Sequence, residues 1–238
     1  IRDAAAEIRF LAWLDAEVAA GRLHDEATLC ERLYAFRAVD PLLKDLSFDT
    51  ISAAGGNAAM CHYRHSDTDP GRLVMNGVYL VDSGAQYLDG TTDITRTVAI
   101  GDAGEEIRRM STLVLKGHIA LDQARFPKGT TGTQLDVLAR QFLWHEGFDY
   151  DHGTGHGVGS FLSVHEGPQR IGKACNSAEL SPGMVVSNEP GYYKADCYGI
   201  RHENLLLVKE LEKQPGADRA MYGFEALTLV PFDLGLLE

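Results

Sequence analysis

Residues 72–100 read RLVMNGVYLVDSGAQYLDGTTDITRTVAI, a stretch rich in the β-branched and aromatic residues that strands favour. A turn signal, Asp89-Gly90, interrupts this stretch. The pattern predicts two antiparallel strands joined in a hairpin. Two aspartates, Asp82 and Asp93, are the residues of this hairpin that could carry chemistry.

The two aspartates lie eleven positions apart, one on each arm of the predicted hairpin. Folding the hairpin about residues 87–88 sets Asp82 directly opposite Asp93, with Cβ atoms about 4.5–5.5 Å apart on one face. Two carboxylates this close repel each other unless a positive charge lies between them. The alternative interpretation places one carboxylate in a turn and the other on an exposed face.

Two glutamates stand in apolar surroundings further along the chain. Glu189 ends the run MVVSNEPG, and Glu203 lies within GIRHENLLLV. Burying a lone carboxylate is costly, so such a residue is usually paired, protonated or bound to metal. The two glutamates could oppose each other across a longer loop. The alternative is an ion pair with Arg201 or Lys194.

Residues 151–168 read DHGTGHGVGSFLSVHEGP and hold three histidines, His152, His156 and His165, among five glycines. Glycine allows the backbone to approach a ligand closely. A single histidine is more often a core or surface residue, but three in a glycine-rich segment favour a functional site.

Four carboxylates and at least one imidazole form a ligand set rich in oxygen and without thiolate. Their charge of about −4 would be neutralised by two divalent cations. Mn²⁺ suits such ligands, with Co²⁺ and Zn²⁺ as alternatives. A single structural zinc is disfavoured, because its sites are rich in cysteine and histidine. Paired metals activate water and stabilise a developing oxyanion, which indicates hydrolysis.

The rest of the chain alternates helices with strands. Apolar residues recur at helical spacing in 1–20, which Gly21 ends, and Asp25 is the predicted N-cap of a second helix. A third helix is predicted over about 104–126, and a fourth from Thr133 with Asp136 in a loose capping box. The remaining predicted strands are 184–188, 198–209 and 225–230. The order helix, helix, strands therefore occurs twice, which suggests two similar halves.

Composition excludes several classes of protein. The 238 residues hold 34 acidic and 22 basic side chains, a net charge of −12, which disfavours nucleic acid as a partner. No apolar run approaches the roughly 18 residues of a membrane helix. The four cysteines form no CxxC pair and favour thiols in a reducing cytoplasm over a disulfide framework. Because the sequence opens at Ile1, we expect it to be cut from something longer.

The chain resembles the pita-bread metallopeptidases, which include Xaa-Pro aminopeptidase, prolidase, methionine aminopeptidase and creatinase, in four segments: VDSGAQYLDGTTDITRT, HGTGHGVGSFLSVHEGP, NEPGYY and GIRHEN. The resemblance implies an α+β pita-bread fold with two pseudo-symmetric halves and a curved antiparallel sheet covered by helices. It implies five ligands for two metal ions: Asp82, Asp93, His156, Glu189 and Glu203. Asp93 and Glu203 would bridge both metals, and Glu189 would also carry a proton.

The resemblance also implies roles for the other polar residues of these motifs. His165 would stabilise the tetrahedral intermediate, His62 and His152 would line the pocket around proline, and Arg201 would orient a metal ligand. No chemistry is assigned to Asp89, Glu166 or His202. Surface or core positions are expected for the remaining histidines, His24, His65, His118 and His145.

The Xaa-Pro aminopeptidase branch is favoured by SFDTISAAGGNAAMCHY (47–63), by DGTTDITRT and by the nine-residue step from His156 to His165. The implied activity is hydrolysis of the bond before proline at a peptide N-terminus, through a water bridging the metals. A dipeptide-specific prolidase, a methionine aminopeptidase and a non-catalytic peptide-binding module are the alternatives. We expect residues 1–238 to form one catalytic domain, without the N-terminal domains that the family places before it and that contribute to a homodimer.

Overall fold

The computed structural model describes residues 1–65 and 69–238. Its α-helices in these ranges are α1 (Arg2–Ala19), α2 (Glu26–Arg37), α3 (Glu105–Asp122) and α4 (Gly132–His145). Its strands are β1 (Leu43–Leu46), β2 (Ile51–Ala54), β3 (Gly77–Ser83), β4 (Ala85–Tyr87), β5 (Gly90–Thr91), β6 (Ile94–Ile100), β7 (Phe126–Pro127), β8 (Gly155–His156), β9 (Arg170–Ile171), β10 (Val185–Asn188), β11 (Gly191–Lys194), β12 (Tyr198–Arg201), β13 (Asn204–Glu210) and β14 (Met221–Ala226). Short 3₁₀ turns cover Gly55–Ala59 and Leu234–Leu236.

The first half packs α1 and α2 against an antiparallel sheet of order β2-β3-β6. Phe10 and Leu14 of α1 and Leu29 of α2 are fully buried against Tyr79 and Val81 of β3. The predicted N-cap is confirmed, because the Asp25 side chain accepts a 2.8 Å hydrogen bond from the Thr28 amide. Since Tyr79 and Val81 face the helices, alternation turns Asp82 to the opposite face.

The second half repeats this arrangement with α3, α4 and an antiparallel sheet of order β10-β13-β14-β7. Leu121 of α3 and Ala139 of α4 lie in one buried cluster with Val186, Leu206 and Val208 of the sheet. Both predicted helix pairs are therefore present, each covering a sheet. Small two- and three-stranded ladders, β1-β4-β5, β8-β9 and β11-β12, complete the described strands.

One buried side chain of the first half reaches into the second half. The Arg96 guanidinium, 0% exposed, donates to the carbonyl oxygen of Glu203 at 2.6 Å and to the Asn204 side chain at 2.8 Å. It also donates to the carbonyl oxygens of Val230 and Pro231 at 2.5 and 3.1 Å. Four acceptors from the second half thus bind one cation from the first.

Three predicted boundaries were wrong. The helix α4 begins after Thr131, whose amide donates to the Gln134 side chain at 2.8 Å, so Thr133 is not its cap. The predicted strand 198–209 is split in two at residues 202–203. The predicted strand 225–230 is observed at Met221–Ala226, and beyond it the Leu205 amide donates to the Thr228 hydroxyl instead of to a backbone carbonyl.

Within the described part of the chain the four cysteines form no disulfide. Nor does any helix there combine the length and apolar character needed to span a bilayer.

Candidate metal centre

A cleft of about 1140 Å³ lies on the face of the first sheet that points away from α1 and α2. All nine residues predicted to form the site line it: His62, Asp82, Asp93, His152, His156, His165, Glu189, Arg201 and Glu203. The first and last of them, His62 and Glu203, are more than 140 positions apart in the sequence, so the fold brings the set together.

The hairpin β3–β6 places both aspartates on the cleft face, but not directly opposite each other. Asp82 pairs with Thr95, and the strand pairing is centred between Leu88 and Asp89. The predicted centre, residues 87–88, was therefore wrong by one position, and Asp93 lies two residues from the place opposite Asp82. Because side chains alternate with a period of two, Asp93 stays on the same face as a diagonal neighbour.

The two glutamates meet at the end of another antiparallel ladder. Val186 pairs with Leu206 and Asn188 with Asn204, so the same register, continued by one residue, sets Glu189 opposite Glu203. The prediction that they oppose each other across a loop is thus in agreement with the register. Glu203 is 1% exposed, and its Oε2 accepts a 2.6 Å hydrogen bond from the Thr95 hydroxyl.

The imidazole of His156 joins the two pairs of carboxylates. Its Nε2 lies 3.4 Å from Asp93 Oδ2 and 3.2 Å from Glu189 Oε1, while its Nδ1 lies 2.9 Å from the carbonyl oxygen of Gly157. Single ligand atoms of Asp93, His156 and Glu203 all lie within 4.8 Å of one another. A carbonyl on Nδ1 leaves Nε2 directed at the carboxylates, which is the usual orientation of a metal-binding histidine.

The pKa values of these groups reflect an excess of buried negative charge. Burial, and then the charge of neighbouring carboxylates, raises the pKa of Asp82 and that of Glu203, and raises the pKa of Asp93 to about 7. Burial opposes protonation of His156, yet its contacts with Asp93 and Glu189 raise its pKa to about 11. Burial also raises the pKa of Glu189, but the His156 contact outweighs it and brings it to about 2.

A cation fits this set of donors. Asp82 Oδ1 is buried and has no hydrogen-bond partner among the described residues, although an acceptor in such a position is normally satisfied. Its other oxygen is bound by Arg201 at 2.6 Å. An unsatisfied carboxylate oxygen beside three more carboxyl groups and one imidazole is the environment expected of a divalent-metal site rich in oxygen.

The guanidinium of Arg201 is shared between the metal-site carboxylate and the rest of the cleft. Besides Asp82, it donates to the Thr95 hydroxyl at 3.2 Å and to the Tyr193 hydroxyl at 2.9 Å. Tyr193 in turn lies 2.7 Å from His152 Nε2. The alternative ion pair of a cleft glutamate with Arg201 or Lys194 is not formed. Arg201 instead binds Asp82, and Lys194 binds Glu106, each at 2.6 Å.

The other two predicted histidines stand at the exposed side of the centre. The His165 ring lies 4.1 Å from the His156 ring, centroid to centroid. Burial and the adjacent His156 lower the pKa of His165, so its imidazole favours the neutral form. His62 is exposed on the cleft wall, and its charge contributes to the same lowering.

Comparison with known proteins places this centre in a family. The family model of metallopeptidase family M24 matches residues 1–210. The chain belongs to metallopeptidase family M24. It is 52% identical to probable Xaa-Pro aminopeptidase P from Tuber melanosporum and from Botryotinia fuckeliana, over 100% of this chain. The M24 chain covers only 40% and 37% of the length of those two relatives.

Solved structures match the M24 chain over nearly its whole length. X-prolyl aminopeptidase from Caenorhabditis elegans, described as a cytosolic enzyme with a di-nuclear active site, matches with a TM-score of 0.95 and 43% identity over 100% of this chain and 38% of that chain. Prolidase from Pyrococcus furiosus matches with a TM-score of 0.75 and 28% identity over 97% of this chain and 63% of that chain. The predicted pita-bread fold is confirmed.

Several polar residues that build the centre of the M24 chain were not predicted. Arg140 of α4 binds the carbonyl oxygens of Tyr150 and His152 at 2.6 and 2.8 Å, and Asp136 binds Arg140 at 2.7 Å and the Thr154 hydroxyl. The helix α4 therefore fixes the backbone that leads to His156. The spacing of Asp136 and Arg140, four residues apart on a helix, was the available signal.

Proposed function

We propose that this chain is the catalytic domain of a dinuclear metal-dependent aminopeptidase that hydrolyses the Xaa-Pro bond at the N-terminus of peptides. The observation that carries this proposal is the convergence of four carboxyl groups and His156 in one cleft, around a buried Asp82 oxygen that has no partner among the described residues. The 52% identity with probable Xaa-Pro aminopeptidases P supports the choice of substrate.

Five residues would hold the metal ions: Asp82, Asp93, His156, Glu189 and Glu203. Asp93 and Glu203, whose ligand atoms lie within 4.8 Å of each other and of His156, are the proposed bridging carboxylates. Asp82 is the proposed ligand of one ion, and His156 with Glu189 of the other. Mn²⁺ is the proposed metal, because four of five donors are carboxylates, and Co²⁺ or Zn²⁺ would also be accepted.

The bound ions would supply Lewis-acid activation of water and of the scissile carbonyl. Glu189 is half-buried, and the Ser187 hydroxyl donates to its Oε1 at 3.0 Å, so its carboxylate is held in position to accept a proton from the attacking water. His165 lies beside His156, and in this proposal it would donate a hydrogen bond to the developing oxyanion. His62 and His152 would line the pocket for proline, where a proton must reach the leaving nitrogen.

The proposal extends to the substrate, the domain organisation and the cellular location of the protein. The substrate would be a peptide with proline in second position, and residues 1–238 would form one catalytic domain. The part of the relatives' length that this chain does not cover leaves room for domains that contribute to a homodimer. Location in the cytoplasm is proposed from the cysteine content and from the description of the Caenorhabditis elegans neighbour as cytosolic.

The first experiment assays the metal-stripped chain with Arg-Pro-Pro, with and without added Mn²⁺, and measures free arginine together with bound metal. Release of arginine that requires Mn²⁺ is the expected result. Absence of bound metal after Mn²⁺ addition would overturn the proposal. Two bound ions without release of arginine would show that the activity requires further domains.

A second candidate, a prolidase acting on dipeptides, is favoured by the match to prolidase from Pyrococcus furiosus. Comparing Arg-Pro-Pro with Ala-Pro under the same conditions separates the two, because a prolidase cleaves the dipeptide alone. Adding Met-Ala as a third substrate tests the methionine aminopeptidase alternative. Binding of all three peptides with cleavage of none would indicate a peptide-binding module.

A further inference from the structure

A buried carboxylate outside the metal centre holds one wall of the cleft. Glu26, the first residue of α2, is 0% exposed. Its Oε1 accepts hydrogen bonds from the Ala54 amide at 2.7 Å and the Asn57 side chain at 2.9 Å. Its Oε2 accepts from the Tyr63 hydroxyl and the Gly71 amide, both at 2.7 Å. Two donors on each oxygen satisfy the carboxylate.

These four donors all come from the segment 54–71, which the structure describes apart from 66–68. They stand at its entry, Ala54, in its middle, Asn57 and Tyr63, and at its exit, Gly71. The backbone of Glu26 adds a fifth bond, because its amide donates to the Gly71 carbonyl oxygen at 2.8 Å. One side chain therefore ties Ala54, Asn57, Tyr63 and Gly71 to the N-terminus of α2.

No lysine or arginine in the described ranges forms an ion pair with Glu26, so hydrogen bonds alone compensate its burial. Burial and the bond to Glu26 raise the pKa of Tyr63 to about 12, which keeps the phenol protonated as a donor. Hydrogen bonds that a charged group accepts are stronger than those between neutral groups. Four of them converge on this one side chain.

The held segment carries residues of the cleft wall. Cys61, His62, Tyr63 and Arg64 all line the cleft, and His62 directly precedes the anchored Tyr63. Two local backbone hydrogen bonds lie within this segment, from the Met60 amide to the Asn57 carbonyl oxygen and from the Tyr63 amide to the Met60 carbonyl oxygen. The position of His62 relative to the centre consequently depends on the contacts of its neighbours with Glu26, together with the packing of Ala58 and Tyr63 against Leu80.

We propose that Glu26 is a positioning residue for peptide binding: it fixes residues 54–65 so that His62 is held at the wall of the cleft. This inference rests on the proposed function for the pocket around proline. The carboxylate itself touches no reacting atom. Its contribution is to substrate affinity, through the geometry of the wall.

The test substitutes Glu26→Gln, with Glu31→Gln as the matched control, because Glu31 is exposed on the same helix. Whichever way the glutamine amide is oriented, its NH₂ group faces a backbone N–H, that of Ala54 or that of Gly71, so at least one hydrogen bond is replaced by a contact between two donors. In the Mn²⁺-loaded chain we expect amide hydrogen exchange in 55–65 to become at least about tenfold faster. Exchange in 77–100 and bound metal should remain as in the wild type.

Steady-state kinetics of the same variants provide the second measurement. For Arg-Pro-Pro, the KM of the Glu26→Gln variant should rise about tenfold, while its kcat changes less than about threefold. The Glu26→Asp variant keeps the carboxylate, so its KM should lie between those of the wild type and of Glu26→Gln. Unchanged exchange in 55–65, or faster exchange spread equally over 77–100, would overturn the proposal. So would a KM within about twofold of wild type.

The two proposals can fail separately. A wild-type chain without Xaa-Pro hydrolysis would refute the proposed function, whereas the exchange measurement still decides whether Glu26 holds the wall. If Glu26→Gln does not fold, Tyr63→Phe removes the phenol donor to Oε2, together with the bond that the same hydroxyl accepts from Asn57 within the segment at 2.9 Å. A rise in exchange confined to 55–65 in that variant supports the proposal, and an unchanged pattern overturns it.

Discussion

The negative charge of the centre lies on carboxyl groups that differ in how they are compensated. Asp82 is bound by Arg201 and Glu203 by the Thr95 hydroxyl, whereas the Asp93 carboxylate has, among the described residues, the His156 imidazole as its polar side-chain contact. Asp93 is 4% exposed, so water contributes little to its solvation. A residue in this situation gains most from a bound cation, which makes Asp93 the most sensitive point of the ligand set.

The substitution Asp93→Asn tests this sensitivity. The amide keeps the shape of the side chain but removes one anionic ligand between the two proposed ions, so at least one ion should be lost and activity should fall below detection. Metal analysis after dialysis measures the ion content. The control is Asp89→Asn, an exposed aspartate of the same hairpin; retention of two ions by Asp93→Asn would contradict the bridging role.

The substitution His165→Ala addresses the oxyanion instead of the metal. His165 touches His156 by its ring and has no place in the proposed ligand set, so metal content should stay constant. Loss of one hydrogen-bond donor to an oxyanion lowers kcat by roughly 100- to 1000-fold. Steady-state kinetics with Arg-Pro-Pro, compared with His145→Ala on the surface of α4, provide the measurement; an unchanged kcat would remove His165 from the mechanism.

At the scale of elements, the centre depends on how closely strand β8 approaches strand β10. Gly155, the first residue of β8, lies where an added Cβ would overlap the carbonyl oxygen of Ser187 in β10. The Ser187 hydroxyl also accepts a 2.9 Å hydrogen bond from the His156 amide. The absence of a side chain at position 155 thus sets the distance of His156 from Glu189.

We therefore expect Gly155→Ala to lower the free energy of unfolding by about 2 kcal/mol or more, because two backbones must separate. Urea unfolding of the metal-free chain measures this loss. Gly90→Ala is the matched control, since a Cβ there meets nothing within 4 Å. Equal stability of the two variants would show that β8 can move away without cost.

The elements also show which features a sequence can predict. The helices α1 and α2, the cap at Asp25 and the cleft-facing aspartates follow from local periodicity and capping chemistry. The register of β3 and β6 does not, since moving the turn by one residue changes every pairing while the period-two alternation is preserved. The contacts of Tyr193 and Arg96, and those of Arg140 beyond its own helix, could not be predicted either, because their partners are set by tertiary packing.

At the scale of the whole molecule, buried polar networks tie the first helix to the hairpin. Arg37 of α2 binds Asp3 of α1 at 2.8 Å and the Ser83 hydroxyl at 3.0 Å. Glu7 is 1% exposed and lies 3.5 Å from the same guanidinium. Burial raises the pKa of Glu7 to about 7 although Arg37 opposes the shift. The network is therefore sensitive to pH.

Glu7 gives a stability prediction whose sign follows from its pKa. The native state binds the Glu7 proton more tightly than the unfolded chain, so this contribution is complete below pH 4.5 and is lost as the pH rises through about 7. Glu7→Gln keeps the neutral form at every pH. Its stability relative to wild type should therefore rise between pH 5 and pH 8, by up to about 3 kcal/mol.

Urea unfolding of both metal-free chains at the two pH values measures this difference, with Glu31→Gln as the exposed control. A stability difference that does not vary with pH would show that Glu7 is ionised in the native state throughout.

The bonds of Arg96 bear on how the two similar halves are related. Its cation comes from one half, and four of its acceptors, the carbonyl oxygens of Glu203, Val230 and Pro231 and the side chain of Asn204, come from the other. In return, Arg201 of the second half donates to Asp82 and to the Thr95 hydroxyl of the first half. The seam therefore has a guanidinium donor on each side, but the two donors meet different acceptors: backbone carbonyl oxygens and an amide for Arg96, and a carboxylate of the proposed metal site for Arg201. The two halves are consequently joined by unlike contacts, so the similarity of their helices and sheets does not extend to the surfaces by which they meet.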